Sequence, residues 1–128
     1  MRLLLDTQIA FWWQTGDRRL KDAVRQLVEV NEDPVLVSRV SLWELAIKAG
    51  TGRLKIDLAL FTSEVEALGF SWLPIENAHI LQLAELPVLS GHKDPFDRLL
   101  VAQSASEPLI LLTADAGLGR YGALVRVV

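Results

Sequence analysis

Acidic side chains stand where apolar runs of the chain end and where helical patterns begin. The five candidates are Asp6, Glu44, Asp94, Asp97 and Asp115. Carboxylate oxygens suit Mg²⁺ or Mn²⁺, which keep several waters and bind through acids and phosphate. A hard cation held by such acids can activate water and stabilise the leaving oxygen in phosphodiester cleavage. The chain has no cysteine, and His79 and His92 lack paired spacing, so the sequence does not indicate a zinc site.

Taken singly, each acid has an ordinary explanation as a helix cap, an ion pair, a solvated charge or a turn residue. Asp94 suits a cap because Pro95 fits the first position of a helix. Two features favour a shared site instead. Asp6 and Asp115 follow apolar strands that we expect to be neighbours in one sheet. Glu44 has apolar residues on both sides, which is an odd setting for a free charge.

Apolar runs alternate with helical patterns along the whole chain. Strands are predicted at residues 3–5, 34–38, 70–74, 109–113 and 125–128, the last at an edge. Helices are predicted at residues 7–14, 20–30, 41–49, 58–68, 77–86 and 94–106. Helices between strands indicate an α/β fold whose parallel sheet carries helices on both faces. Ligands of such sheets bind beyond the carboxyl ends of the strands, where we place the acids.

Length and composition indicate one domain across residues 1–128. No apolar run approaches the roughly 20 residues of a membrane helix. The acid at position 6 comes too early for a signal peptide, so we expect a cytoplasmic protein without membrane contact. The net charge of −3 argues against nucleic-acid binding by bulk electrostatics. That objection weakens if a divalent cation offsets several of the acids.

Four segments, taken in order, resemble a known family. They are LLLDT at 3–7, VSRVSLWELAIK at 37–48, DPFDRLLVAQ at 94–103 and LTAD at 112–115. Together they resemble the PIN-domain family, in the VapC-like toxin ribonuclease branch of type II toxin–antitoxin systems. The resemblance implies a three-layer sandwich around a five-stranded parallel sheet in the order 3-2-1-4-5. It also implies hydrolysis of RNA phosphodiesters by water that Mg²⁺ or Mn²⁺ activates, a cognate antitoxin protein that blocks the site, and a homodimer.

The resemblance assigns roles to particular residues. The catalytic and metal-binding acids would be Asp6, Glu44, Asp97 and Asp115. Asp97 matches better than Asp94 because the stretch Leu100–Ala102 follows it at the usual distance. The secondary candidates are Asp94, Thr7, Ser38 and Thr113. Four cations could guide the RNA backbone, although scattered surface charge explains them equally well: Lys48, Arg53, Lys55 and Arg98.

Two other functions and one assembly state remain open from the sequence. A receiver-like phosphoacceptor domain would need paired acids after strand one and a lone aspartate after strand three, and neither is present. A non-catalytic PIN-like binding module is the second alternative, which the complete acidic quartet disfavours. Four tryptophans in a chain that is half apolar lead us to expect a homodimer.

Overall fold

The computed structural model describes all 128 residues and contains five strands, six α-helices and one 3₁₀ helix. The strands are β1 (Leu3–Leu5), β2 (Val35–Ser38), β3 (Ser71–Leu73), β4 (Ile110–Thr113) and β5 (Val125–Val127). The helices are α1 (Thr7–Thr15), α2 (Asp22–Glu29), α3 (Arg39–Gly50), α4 (Leu58–Ala67), α5 (Asn77–Glu85) and α6 (Pro95–Ser106). Every predicted element is present, with ends no more than two residues away. The 3₁₀ helix, Ala116–Tyr121, was not predicted.

The five strands form one parallel sheet in the order β3-β2-β1-β4-β5. This confirms the predicted fold class and strand order. A receiver-like domain has the order 2-1-3-4-5 instead, so that alternative is wrong. β1 lies at the centre, and all three of its leucines are fully buried. Burial on both faces explains why this strand reads as a continuous apolar run.

Side chains that alternate along the strands divide the interior into two cores. Leu3 and Leu5 belong to a cluster of 14 buried residues on one face of the sheet, together with residues of α1, α2, α3 and α4. Leu4 points to the other face and joins a cluster of 12 buried residues, many of them from α6. Each buried leucine contributes about 1.5–3 kcal/mol relative to an exposed one, so the two cores hold the sheet between its helices.

The strand register brings three chain positions to one edge of the sheet. Leu5 of β1 pairs with Val37 of β2 and with Leu112 of β4. The next residue along each strand is therefore Asp6, Ser38 or Thr113, and all three lie at the carboxyl edge. None of the helices is long and apolar enough to cross a membrane.

Candidate active site

The ends of β1 and β4 fix the orientation of Asp6. Its backbone N–H donates to the carbonyl of Leu112 at 2.9 Å, which continues the sheet by one residue. The Thr113 hydroxyl accepts a hydrogen bond from the Asp115 N–H at 3.0 Å, so its own proton is free to be donated elsewhere. That proton goes to Oδ2 of Asp6, at an oxygen–oxygen distance of 2.5 Å. Thr113 thus links the two strand ends that carry acids.

Asp115 begins the 3₁₀ helix that follows β4. Its Oδ1 accepts a hydrogen bond from the Gly117 N–H at 2.9 Å, as a helix cap does. The residue is exposed. A turn position was one of the ordinary explanations for this acid, and the residue plays that structural part while also lining the same cleft as Asp6.

Glu44 is buried on α3, and only one of its two carboxylate oxygens has a hydrogen-bond partner. Its Oε2 accepts from the Lys48 Nζ at 2.8 Å, and the two residues are four apart on the same helix. Its Oε1 is buried and has no hydrogen-bond partner. An unsatisfied buried acceptor costs roughly 1–3 kcal/mol, and more when it is charged. Nearby, the hydroxyls of Thr7 and Ser41 lie 2.8 Å apart and join the start of α1 to α3.

Asp94 and Asp97 lie at the beginning of α6 and have different roles. Asp94 caps the helix, since its Oδ1 accepts from the N–H groups of Phe96 at 2.9 Å and Asp97 at 3.0 Å. Asp97 occupies the first turn of the helix. Burial raises the pKa of Asp97 to about 7, and repulsion from Asp6, Asp94, Glu44 and Asp115 adds to this effect. No hydrogen bond to its carboxylate opposes the rise.

The pKa of Asp6 is also raised, as that of Asp97 is. Burial raises its pKa to about 6, although the hydrogen bond from Thr113 acts in the opposite direction. Repulsion from Glu44 and Asp115 raises it further. The acids therefore act on one another through space, and a divalent cation among them would relieve both the repulsion and the unpaired oxygen of Glu44. The donor set is all oxygen, which suits Mg²⁺ or Mn²⁺.

A cleft of about 640 Å³ collects these side chains. Its walls contain all five candidate acids, namely Asp6, Glu44, Asp94, Asp97 and Asp115. Thr7 also lines it, whereas the fully buried Thr113 supports it from behind. No three of these acids place carboxylate oxygens within 4.8 Å of one another. The acids therefore face one cleft without forming a preformed site in which three carboxylates already meet.

The remaining predicted residues are divided between the cleft and other places. Lys48 and Arg53 line the cleft, while Lys55 lies in a separate groove between α1 and α4. Arg98 is half-buried on α6 and does not line the cleft. Ser38 is fully buried and does not line it either. Its hydroxyl caps α3 by accepting from the Val40 N–H at 3.0 Å, and it donates to Oε1 of Gln103 at 2.6 Å.

Arg19, in the loop between α1 and α2, lines the cleft but was not among the predicted residues. It is far from the acids along the chain, and the surrounding sequence has no motif that would have indicated it. His92 does not line the cleft. Its ring lies against Gly117, where a Cβ atom would come within 2.2 Å of His92 Nε2.

A second group of potential ligands, Glu76, His79 and Glu107, lies outside the cleft. Nδ1 of the buried His79 accepts from the Glu76 N–H at 3.1 Å and from the amide of Gln103 at 3.2 Å. The ring proton must then be on Nε2, which donates to Oε2 of Glu107 at 2.8 Å. Both ring nitrogens are satisfied, so this group is a structural link between α5 and α6.

Comparisons with known proteins concern the family and the fold of the chain. A family model described as "PIN domain" matches residues 3–124. Ribonuclease VapC22 of Mycobacterium tuberculosis is 27% identical over 122 residues, which cover 88% of this chain and 86% of that protein. VapBC2 from Rickettsia felis, bound to a DNA fragment from its promoter, has a TM-score of 0.69 at 16% identity and covers 99% of this chain and 98% of its own. A toxin–antitoxin complex from Klebsiella pneumoniae has a TM-score of 0.66 at 16% identity, with coverage of 98% and 96%.

Proposed function

This chain belongs to the PIN-domain family, and on that basis we propose that it is a metal-dependent endoribonuclease and the toxin of a toxin–antitoxin pair. The curated relative is a ribonuclease by name, which supports RNA as the substrate. The same fold occurs in a toxin–antitoxin complex from Klebsiella pneumoniae and in VapBC2 from Rickettsia felis bound to promoter DNA. These complexes support a cognate antitoxin as the partner of this chain.

One observation carries the nuclease proposal: acids from separate elements line one cleft, and a buried carboxylate oxygen among them has no partner. The residues that would hold the cation are Asp6, Glu44, Asp97 and Asp115. The cation would be Mg²⁺ or Mn²⁺. When bound, it supplies Lewis-acid activation of water and neutralises charge on the phosphoryl group. A structural role alone does not explain why Oε1 of Glu44 is buried without a hydrogen bond.

Other side chains of the cleft orient these acids. Thr113 holds one oxygen of Asp6 and leaves the other free. Lys48 holds one oxygen of Glu44 in the same manner. Asp94 fixes the first turn of α6 and hence the position of Asp97. Since the pKa of Asp97 is about 7 without a cation, binding of the cation near neutral pH should release protons.

We also propose that the protein is a homodimer. Trp43 is 50% exposed on α3 and stacks edge-on against Phe96 at 4.8 Å between ring centroids. Ile47, one turn further along α3, is 41% exposed. Trp43 and Ile47 thus leave adjacent apolar side chains exposed on α3, and contiguous exposed apolar patches often mark interfaces. Light scattering of the isolated protein at micromolar concentration should give the dimer mass, and the monomer mass would contradict the proposal.

The nuclease proposal is tested by cleavage of a generic single-stranded RNA by the purified, partner-free protein. Cleavage should require Mg²⁺ or Mn²⁺ and stop with EDTA. Asp6→Asn and Asp97→Asn should each lose most activity, with circular dichroism unchanged. Asp57→Asn is a matched control, because Asp57 caps α4 away from the cleft and asparagine preserves the cap.

Two results would contradict the proposal. Cleavage by both cleft variants at the parent rate would remove the catalytic assignment. A parent protein that cleaves no RNA with either metal would favour the non-catalytic binding module.

A further inference from the structure

Arg19 is held in one orientation although 66% of its side chain is exposed. Its Nε donates to Oδ1 of Asp17 at 3.0 Å, and its Nη2 donates to Oδ2 at 2.7 Å. The Arg19 backbone N–H also donates to Oδ1 of Asp17, at 2.9 Å. On another side, the guanidinium carbon lies 5.1 Å from the centre of the Trp12 ring. A carboxylate and an aromatic face together restrict a side chain that is usually mobile.

The Arg19 guanidinium lies on the wall of the acidic cleft, which suggests a function for its fixed orientation. Arg19 lines the acidic cleft, and together with Ala114 it also lines an adjoining groove. It therefore lies on the side of the cleft where the chain leaves β4 toward Asp115. Lys48 differs from it because its partner, Glu44, is itself one of the cleft acids, whereas the Asp17 carboxylate that pairs with Arg19 does not line the cleft.

The paired guanidinium still has donors to offer. Arginine has five N–H donors, and the side-chain pair with Asp17 uses two of them. Three remain, in the planar arrangement that matches two oxygens of a phosphate. A phosphodiester that enters a cleft lined by five carboxylates meets strong repulsion, which a fixed cation on the cleft wall would offset.

We propose that Arg19 binds a backbone phosphate of the RNA and positions the strand in the cleft, and that Asp17 and Trp12 preorganise it for this contact. The inference rests on the proposed nuclease function, because it takes RNA as the ligand. Arg19 is a positioning residue in this proposal, and the chemistry remains with the acids. Its loss should consequently weaken binding and raise KM, with a smaller effect on kcat.

Four variants test the proposal. Arg19→Gln removes the charge, and Arg19→Lys keeps the charge but lacks the planar set of guanidinium donors. Asp17→Asn keeps the turn but loses the two-hydrogen-bond pair between the carboxylate and the guanidinium. Arg18→Gln is the matched control, because Arg18 is exposed next to Arg19 and does not line the cleft. Binding of a fluorescein-labelled single-stranded RNA is followed by anisotropy in EDTA, and KM and kcat are measured in Mn²⁺.

Arg19→Gln should raise Kd and KM roughly three- to tenfold, as expected for one charged hydrogen-bonding group at an exposed site. The slope of log Kd against log salt should fall by about one. Arg19→Lys should lie between this variant and the parent. Arg18→Gln should change Kd and KM less than twofold.

Asp17→Asn separates preorganisation from simple charge. It removes a negative charge near the cleft, so bulk electrostatics predicts tighter RNA binding. If the Asp17 carboxylate preorganises the Arg19 guanidinium, the same substitution should weaken RNA binding. Tighter binding by Asp17→Asn would overturn the proposal, as would equal behaviour of Arg19→Gln and Arg18→Gln. If the parent binds RNA as described but never cleaves it, the role of Arg19 stands and the nuclease proposal fails. If the parent cleaves RNA and Arg19 variants match it, only the role of Arg19 fails, and a parent that neither binds nor cleaves RNA overturns both.

Discussion

Replacing Asp97 with asparagine should stabilise the cation-free protein while it removes nuclease activity. Burial and neighbouring acids raise the pKa of Asp97 from an ordinary value of 3.8 to about 7. At 1.36 kcal/mol per pH unit, that difference corresponds to about 4 kcal/mol of destabilisation by the ionised group. Asp97 is only half-buried, so solvent screening reduces the figure, and we take about 2 kcal/mol. Asparagine has nearly the same size and no charge, so it should recover this energy.

The sign of the pH dependence follows from proton binding. Between about pH 4 and pH 7 the folded parent keeps a proton on Asp97 that the unfolded chain has lost, so its stability falls as pH rises through this range. Asp97→Asn has no carboxyl group at this position, so its stability does not fall for this reason as pH rises. The stability gain from Asp97→Asn should thus be absent near pH 4, grow up to about pH 7 and be constant above it. For a chain of 128 residues, about 2 kcal/mol corresponds to a rise in Tm of roughly 7 °C.

Thermal unfolding by circular dichroism in EDTA, at a series of pH values from 4 to 8, measures this directly. Glu32→Gln is the control, since Glu32 is an exposed loop acid away from the cleft and its replacement should change Tm little at any pH. Adding Mg²⁺ or Mn²⁺ should raise the Tm of the parent more than that of Asp97→Asn. Equal Tm values for parent and variant at pH 8, or a difference that is the same at both ends of the series, would refute the reasoning.

Three further predictions concern side chains that shape the cleft and its surroundings. Asp94→Asn should leave stability nearly unchanged in urea unfolding, whereas Asp94→Ala should lose about 1 kcal/mol, because only asparagine keeps the cap; equal losses would contradict the capping role. Gly117→Ala should destabilise the protein by about 1–3 kcal/mol, because its Cβ would meet the ring of His92, and the loss should shrink in a His92→Ala background. His79→Leu should cost about 2–4 kcal/mol, since it leaves the buried amide of Gln103 without one partner, and a loss below 1 kcal/mol would contradict the structural role of His79.

The order and type of the regular elements could be predicted because each has a strong local pattern. The errors lie where two local signals compete. α3 begins at Arg39 rather than Ser41 because Ser38 caps it, and both serines are suitable caps. The 3₁₀ helix Ala116–Tyr121 contains two glycines and looks like a loop. Leu118 holds it in place by full burial, and this is a tertiary contact that no local pattern indicates.

The acids of the cleft could be predicted for the same reason, since each follows a strand or opens a helix. The cations could not be predicted equally well. Exposed basic residues on loops and helix surfaces have no periodicity that tells which way they point. Lys48 and Arg53 line the cleft, whereas Lys55 lies in another groove and Arg98 lies off it. Arg19 depends on two neighbours, Asp17 and Trp12, whose contacts appear only when α1 is folded.

The five acids of the cleft fall into two groups, which differ in how much local structure their carboxylates support. Asp94 caps α6, Asp115 begins the 3₁₀ helix and Glu44 pairs with Lys48, so each of these has local structural work as well as a place in the cleft. Asp6 caps nothing with its side chain, and Asp97 receives no hydrogen bond. Burial nevertheless raises the pKa of both. Asp97 has no hydrogen bond that offsets its unfavourable burial, and Asp6 has only the one from Thr113. A bound cation would offset that cost at both residues, so substitutions at Asp6 and Asp97 test the metal-site proposal most directly.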